Sequence, residues 1–204
     1  MITLWLVRHG QTDWNAQKRY QGHSDIPLNA IGQEQAQQVA HRLKREKLHA
    51  IISSDLQRTT QTATSIAAHH PHLTLQTNPD LREANFGIFE GLRYKDIIDQ
   101  HQAMAEAWFA DPNTPPDGGE KLTTVFQRVQ HLRQHIEAEY ARKRVLLVGH
   151  DGALRLLLCD LLGLPAAQYW RFNVDPCSLS RVNIYPGGAI LIRLNDIAHL
   201  HDDT

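Results

Sequence analysis

The sequence predicts an α/β fold, a three-layer sandwich in which a mostly parallel central sheet carries helices on both faces and a small helical cap. Two observations carry this. Short apolar runs alternate along the chain with segments of helical period, the order expected of successive βα units. Val145-Leu146-Leu147-Val148 is apolar at every position, as a strand covered on both faces requires.

The elements follow in order. Ile2–Val7 reads as a buried strand ending at Arg8-His9-Gly10, and Gln11–Ile31 as a long polar loop. Gly32–Glu46 has Ala36, Val39, Ala40 and Leu43 on one helical face. Ala50–Ser53 is a second strand, and Ser54 or Asp55 is placed to cap a helix through about Ala68. Leu73–Thr77 is a third strand and Asp80–Arg93 a loop. Tyr94–Ala110 reads as a helix with Ile97, Ile98, Met104, Trp108 and Phe109, and Asp111–Gly119 as a breaker-rich connector. Lys121–Arg142 is a long helix with the stripe Leu122, Val125, Phe126, Val129, Leu132, Ile136 and Tyr140. After the strand at 145–148 comes an apolar helix, Ala153–Leu162. Ser178–Tyr185 and Ala189–Asn195 then flank Pro186-Gly187-Gly188 as a terminal hairpin that adds an antiparallel edge.

Length and composition bound the rest. The 204 residues suit one domain, 1–204, with 92–121 as a cap that sets specificity. A formal net charge of −1 gives no global field for nucleic acid or an anionic membrane, so any anion site must be a local cluster. No run reaches the roughly 18 apolar residues that span a bilayer. The two cysteines, Cys159 and Cys177, lack CxxC spacing and read as structural thiols of a reducing, cytoplasmic compartment. Thirteen histidines raise the question of metal. His69-His70 with His72, His131 with His135, and His199 with His201 could suggest a metal by their spacing, but none is expected to be a native metal site, and His131 and His135 fall on the solvated face of an amphipathic helix. Oligomeric state is left open, a homodimer included.

In an open parallel sheet, ligands bind beyond the carboxyl ends of the strands. Arg8-His9 follows the first strand, Arg58 the second, and Gly149-His150 the last parallel one, so these basic groups should meet at one rim. Arginine offers a planar fork of donors matched to phosphate oxygens. Arg58 falls in the first turn of a helix, where free N–H groups also favour anions. Gln21-Gly22 can bring loop N–H groups close, and Asp151-Gly152 opens a further helix beside His150. The ligand this cluster fits is a small dianion such as a phosphate monoester.

Leu6-Val7-Arg8-His9-Gly10-Gln11-Thr12-Asp13-Trp14-Asn15 resembles the signature of the histidine phosphatase (phosphoglycerate mutase-like) superfamily. The resemblance continues through Tyr20–Leu28, Gly32–Ala36, Ser53–Ala63, Leu81-Arg82-Glu83 with Gly87 and Glu90-Gly91, Pro116–Glu120 and Val148-Gly149-His150. It implies that His9 attacks phosphorus and becomes phosphohistidine. It further implies that Arg8, Arg58 and His150 hold the phosphoryl oxygens with Asn15, Gln21 and Gly22, and that Glu83 is the proton donor and later the base. No metal and no cofactor are implied. Within the superfamily the pattern is similar to the α-ribazole and broad-specificity phosphatases. That implies a small phosphorylated metabolite, α-ribazole 5'-phosphate among the candidates.

Two positions depart from the family pattern. Lys121 stands where many relatives have Ser after Gly-Gly-Glu, and Asp151 where many have Gly after the second histidine. A carboxylate there would repel phosphate, so Asp151 is expected to point away and cap its helix, leaving its N–H available. Mutases of the superfamily resemble one another in a Glu-Arg-His-Tyr-Gly element and a basic insertion. This chain has Glu83-Ala84-Asn85-Phe86-Gly87, and the cations of its cap are Arg93, Lys95 and Lys121 against Asp96, Asp99, Glu106, Asp111, Asp117 and Glu120. With Trp108 and Phe109 nearby, the cap suits an uncharged, partly apolar alcohol. The alternatives are a cofactor-dependent phosphoglycerate mutase and, in a different class, a non-catalytic module that binds phosphorylated ligands.

A site of histidines and arginines lacks the carboxylate cluster that magnesium prefers. Hydrolysis of p-nitrophenyl phosphate is therefore expected to survive EDTA. Loss of activity that added magnesium restores would reject this chemistry.

Overall fold

A computed structural model describes residues 1–200, so His201 lies outside the described residues. The strands are β1 (Ile2–Arg8), β2 (Ala50–Ser53), β3 (Leu75–Thr77), β4 (Arg144–Gly149), β5 (Leu179–Tyr185) and β6 (Gly188–Asp196). They form one sheet in the order β3-β2-β4-β1-β5-β6. Pairing is parallel from β3 through β2 and β4 to β1, and antiparallel from β1 to β5 and from β5 to β6. The terminal hairpin is thus the antiparallel edge that the sequence suggested.

Alternation along the central strands divides the core into two layers. Leu4, Leu6, Val145 and Leu147 point to one face and pack with α5 (Leu122–Glu139) and α6 (Asp151–Leu161) through Val125, Val129, Leu132, Leu154 and Leu157. Trp5, Val7, Leu146 and Val148 point to the other face. There they meet α2 (Ala30–Leu43) and α3 (Gln57–Ala67) through Val39, Leu43, Ala63 and Ile66. The unbroken apolar run of β4 is the consequence of both faces being covered.

Several boundaries differ from the sequence reading. The segment 11–31 holds a short helix, α1 (Asp13–Ala16), closed by reciprocal bonds between Thr12 and Asn15. Helix α2 begins before Gly32 because the Asn29 side chain accepts from Gly32 N–H at 2.9 Å. Neither Ser54 nor Asp55 caps α3; Leu56 holds that position without a side-chain bond, and Asp55 pairs with Arg82 instead. Strand β3 loses Leu73 and Thr74, whose backbone lies outside the parallel register with β2. Two 3₁₀ turns, Pro79–Leu81 and Gly87–Phe89, give the 80–93 segment a fixed course.

The cap has a core of its own. Helix α4 (Tyr94–Ala110) is interrupted at His101, whose ring packs 6.0 Å from Phe89. Phe89, Ile97 and Ala105 are buried there among Tyr20, Phe86, Met104 and Trp108. Trp108 touches the rings of Tyr20, Phe86, Phe89 and Phe109 at centroid distances of 5.7, 5.8, 5.9 and 5.0 Å. Among the described residues, no helix is long and apolar enough to cross a membrane.

Leu147 is fully buried in the layer between the sheet and the α5–α6 pair. Leu147→Ala should cost ~2–5 kcal/mol of stability through lost transfer energy and a residual cavity. Urea denaturation should show a lower midpoint with an unchanged slope. A midpoint within error of the parent would contradict this packing.

Candidate functional site

Register puts two histidines side by side. In the parallel β1–β4 ladder Arg8 is opposite Gly149, so His9 and His150 leave adjacent strands at the same level. Their rings stand edge to face with centroids 5.1 Å apart, and both are buried. This is the switch point of the sheet, since β1 connects to the β2 side and β5 lies on the other.

The proton positions follow from the partners. His9 Nδ1 lies 2.7 Å from the carbonyl of Gly10, which can only accept, so Nδ1 carries the proton and Nε2 is a free base. Burial, then Arg58 and Arg8, hold its pKa well below the ordinary imidazole value. His150 has the opposite tautomer. Its Nδ1 accepts from Arg58 Nε at 3.2 Å, which leaves the proton on Nε2. Burial and the same arginine push its pKa well down too.

Arg58 is the second residue of α3 and is fully buried. Besides His150 it donates to the carbonyls of Gly22 at 2.6 Å and Ser24 at 2.9 Å. Desolvation draws its pKa down to about 10, against the pull of Glu83 and Asp25. Three of its five N–H groups are thus engaged, and one on each terminal nitrogen is left over. Arg8 Nη1 donates to the carbonyl of Val174 at 2.7 Å, while its buried Nε has no hydrogen-bond partner. Gln21 Nε2 and His150 Nε2 are also buried without partners. All three of these are donors, and buried donors demand acceptors.

The remaining expected residues have mixed positions. Asn15 spends its side-chain oxygen on the α1 cap, accepting from Thr12 N–H at 3.0 Å. Gly22 offers Arg58 its carbonyl and packs so closely on the 84–90 loop that a Cβ would stand 2.3 Å from the Ala84 oxygen. Asp151 does not point away. The helix cap is His150, and the Asp151 carboxylate lies 3.8 Å from Arg8 Nη1 and 2.7 Å from Arg155 Nε. The two guanidiniums turn it inward, an attraction that the expectation of phosphate repulsion left out.

Glu83 is buried and accepts from the N–H of Ala84 at 3.0 Å and of Gly152 at 2.9 Å. Burial, with the nearby Asp151 charge, raises its pKa, and the two N–H bonds oppose this. Glu90, in the same loop, is committed elsewhere: it accepts from His23, Ser24 and Phe86 N–H at 2.7, 2.6 and 3.2 Å. Burial pushes its carboxyl up, but these bonds outweigh it and hold the group low. Sequence reasoning missed the supports. Arg128 donates to the carbonyls of Asp80 and Arg82 at 3.0 Å each and to Glu120 at 2.9 Å, which fixes the approach to Glu83. Arg128 follows Glu120 on the next helix, and only the fold shows that it turns toward this loop.

Beyond Glu83 opens a cavity of about 650 Å³. Its walls are Tyr20, Phe86, Trp108 and Phe109 of the cap side and Tyr169 and Trp170 after α6. Glu83, Asp151 and Gly152 form its boundary with the histidine pair. Among the described residues no group of three or more His, Cys, Asp or Glu is placed to hold a metal ion. The arrangement can therefore bind a small dianion, present an unprotonated imidazole nitrogen to it, and hold a carboxyl at the mouth of a largely aromatic cavity.

The chain belongs to the histidine phosphatase superfamily (branch 1), whose sequence profile matches residues 4–197. It is 38% identical to a probable phosphoglycerate mutase GpmB of Proteus mirabilis, over 99% of this chain and 96% of that protein. A GpmB of Yersinia pestis is 40% identical over 98% and 95%. Among solved structures it is similar to a putative α-ribazole-5'-P phosphatase from Escherichia coli, at 33% identity, TM-score 0.90 and 96% coverage of each chain. A mycobacterial glucosyl-3-phosphoglycerate phosphatase in complex with VO3 aligns at 30% identity and TM-score 0.85, over 95% of this chain and 98% of that one.

A Cβ at Gly152 would stand 2.5 Å from Glu83 Oε1, so Gly152→Ala must displace the carboxyl. Misplacement of a reacting group by 1 Å costs on the order of 10²-fold in rate. Turnover of an alkyl phosphate by this variant should fall by about that factor while its thermal unfolding remains cooperative. Parent-like turnover would show that Glu83 needs no such placement.

Proposed function

We propose that this protein hydrolyses phosphate monoesters through a phosphohistidine on His9. The observation that carries the proposal is the set of buried donors without acceptors, Arg8 Nε, Gln21 Nε2 and His150 Nε2, in segments that converge on the unprotonated Nε2 of His9. A phosphoryl group supplies the acceptors these donors lack.

His9 Nε2 attacks phosphorus as the bond to the alcohol oxygen breaks. Arg8, Arg58 and protonated His150 Nε2 face the equatorial oxygens, where the charge of the transition state is spread. Glu83 gives its proton to the leaving oxygen, a role that burial favours by raising its pKa. Water then enters. Glu83 takes its proton, hydroxide oxygen bonds to phosphorus, and His9 leaves as the neutral imidazole. Asn15 and the Gln21-Gly22 segment shape the phosphate pocket. The segment 92–121 acts as a cap on the single catalytic unit, and its aromatic cavity receives the alcohol. α-Ribazole 5'-phosphate is a candidate substrate that this cavity suits. The two unpaired, buried thiols, Cys159 and Cys177, suit a cytoplasmic setting.

The names of the GpmB relatives favour a second reading, in which the phosphohistidine passes its phosphoryl group to a phosphoglycerate instead of water. Both readings share the first step. Acid-labile, base-stable phosphate should appear on the enzyme and vanish in His9→Ala; label on Ser or Asp would overturn both. The phosphoenzyme should then release inorganic phosphate whether or not 3-phosphoglycerate is present, and label recovered as bisphosphoglycerate would favour the mutase. Glu83→Gln should slow single-turnover phosphorylation from an alkyl phosphate by ~10²–10⁴-fold, and less from p-nitrophenyl phosphate. Equal losses would remove Glu83 from the role of acid.

A further inference from the structure

Arg155 is the single lysine or arginine among the residues lining the aromatic cavity, and it is not free. One turn earlier on α6, Asp151 Oδ1 lies 2.7 Å from its Nε. The same oxygen lies 3.8 Å from Nη1 of Arg8, so it stands between an arginine of the phosphate crevice and the arginine of the alcohol cavity. A substrate alcohol carrying its own carboxylate or second phosphate would place negative charge in that interval. The other acids facing the cavity are Glu83 and Glu120, and Glu120 is matched by Arg128 outside it. An anionic alcohol therefore meets carboxylates, and the one cation in reach, Arg155, already has its charge matched by one of them.

We propose that Asp151 occupies, from the protein side, the place an anionic group of the alcohol would take, and that the Asp151–Arg155 pair thereby selects phosphate esters of uncharged alcohols. The inference deepens the phosphatase reading above and rests on it. Asp151 and Arg155 act here on choice of substrate. A group that rejects one ester by like charge and by withholding a partner changes the ratio of specificities more than the rate itself.

Glycerol 3-phosphate and 3-phosphoglycerate form a matched pair, since one has CH₂OH where the other has a carboxylate. The measured quantity is the ratio of their kcat/KM values for phosphate release. Any effect of Asp151 on Glu83 falls on both esters and cancels. The parent should favour glycerol 3-phosphate. Asp151→Asn keeps the volume and frees Arg155, and should move the ratio toward 3-phosphoglycerate by about ten- to a hundred-fold, the range of one charge-assisted hydrogen bond. Adding Arg155→Met to that variant should abolish the gain, and Arg155→Met alone should move the ratio the other way.

An unchanged ratio in Asp151→Asn, or a gain that persists without Arg155, overturns the proposal and leaves the phosphatase reading standing. Should Asp151→Asn fail to fold, Arg155→Met decides: a ratio moved toward 3-phosphoglycerate overturns the proposal. A parent enzyme that releases phosphate from neither ester nor from benzyl phosphate overturns the phosphatase reading and this one with it.

Discussion

The parallel pairing of β1 with β4 is the constraint on which the site depends. Because Arg8 is opposite Gly149, the residues after both strands emerge level, and two imidazoles arrive in contact without any loop having to bring them there. The pairing is held from both faces by side chains of those strands, Leu6 and Leu147 on one side and Val7 and Val148 on the other. A slip of one residue would invert every one of these faces, so core packing and site geometry are fixed by the same choice.

Burial of positive groups is the second theme. Arg58 lies in the interior with its donors turned to a histidine and two loop carbonyls, and the depressed pKa values of both histidines show that the site resists further positive charge. An interior guanidinium is costly, and a bound anion would offset that cost. Loop order is tied to the same group, since Gly22 and Ser24 are held by Arg58 through their carbonyls and Ser24 by Glu90 through its N–H. Binding and order in this loop are therefore two aspects of one network.

Much of this was legible in the sequence. Apolar periodicity locates the four parallel strands and their helices, and the rule for strand ends brings Arg8, His9, Arg58 and His150 together from sequence alone. What escaped notice depends on contacts distant in sequence. The short helix at Asp13 is held by a cap between Thr12 and Asn15 that polar composition disguised as loop. Asp55 looked like a cap and is instead claimed by Arg82. Arg128 sits on a helix whose apolar stripe was plain, yet its polar face meets the 80–83 carbonyls only because α5 lies against that turn. Repulsion of phosphate alone would turn Asp151 away from the site, and the attraction of Arg155, one turn further along α6, shows only in the fold.

The aromatic cluster around Trp108 stands apart from the sheet. Phe89, Ile97 and Ala105 form a core distinct from the two layers that clamp the sheet, and backbone contact with the loop of Glu83 runs through the bridge between Phe86 and Gly119 and through the N–H groups of Ile88 and Glu120, which donate to the carbonyls of Asp117 and Asn85 at 3.0 and 2.8 Å. Trp108 and Phe109 belong to that local cluster, none of whose residues lies on the strands that lead to His9 and His150. Under the phosphatase reading, rebuilding the aromatic side would change the alcohol accepted and leave the groups that handle the phosphoryl group in place.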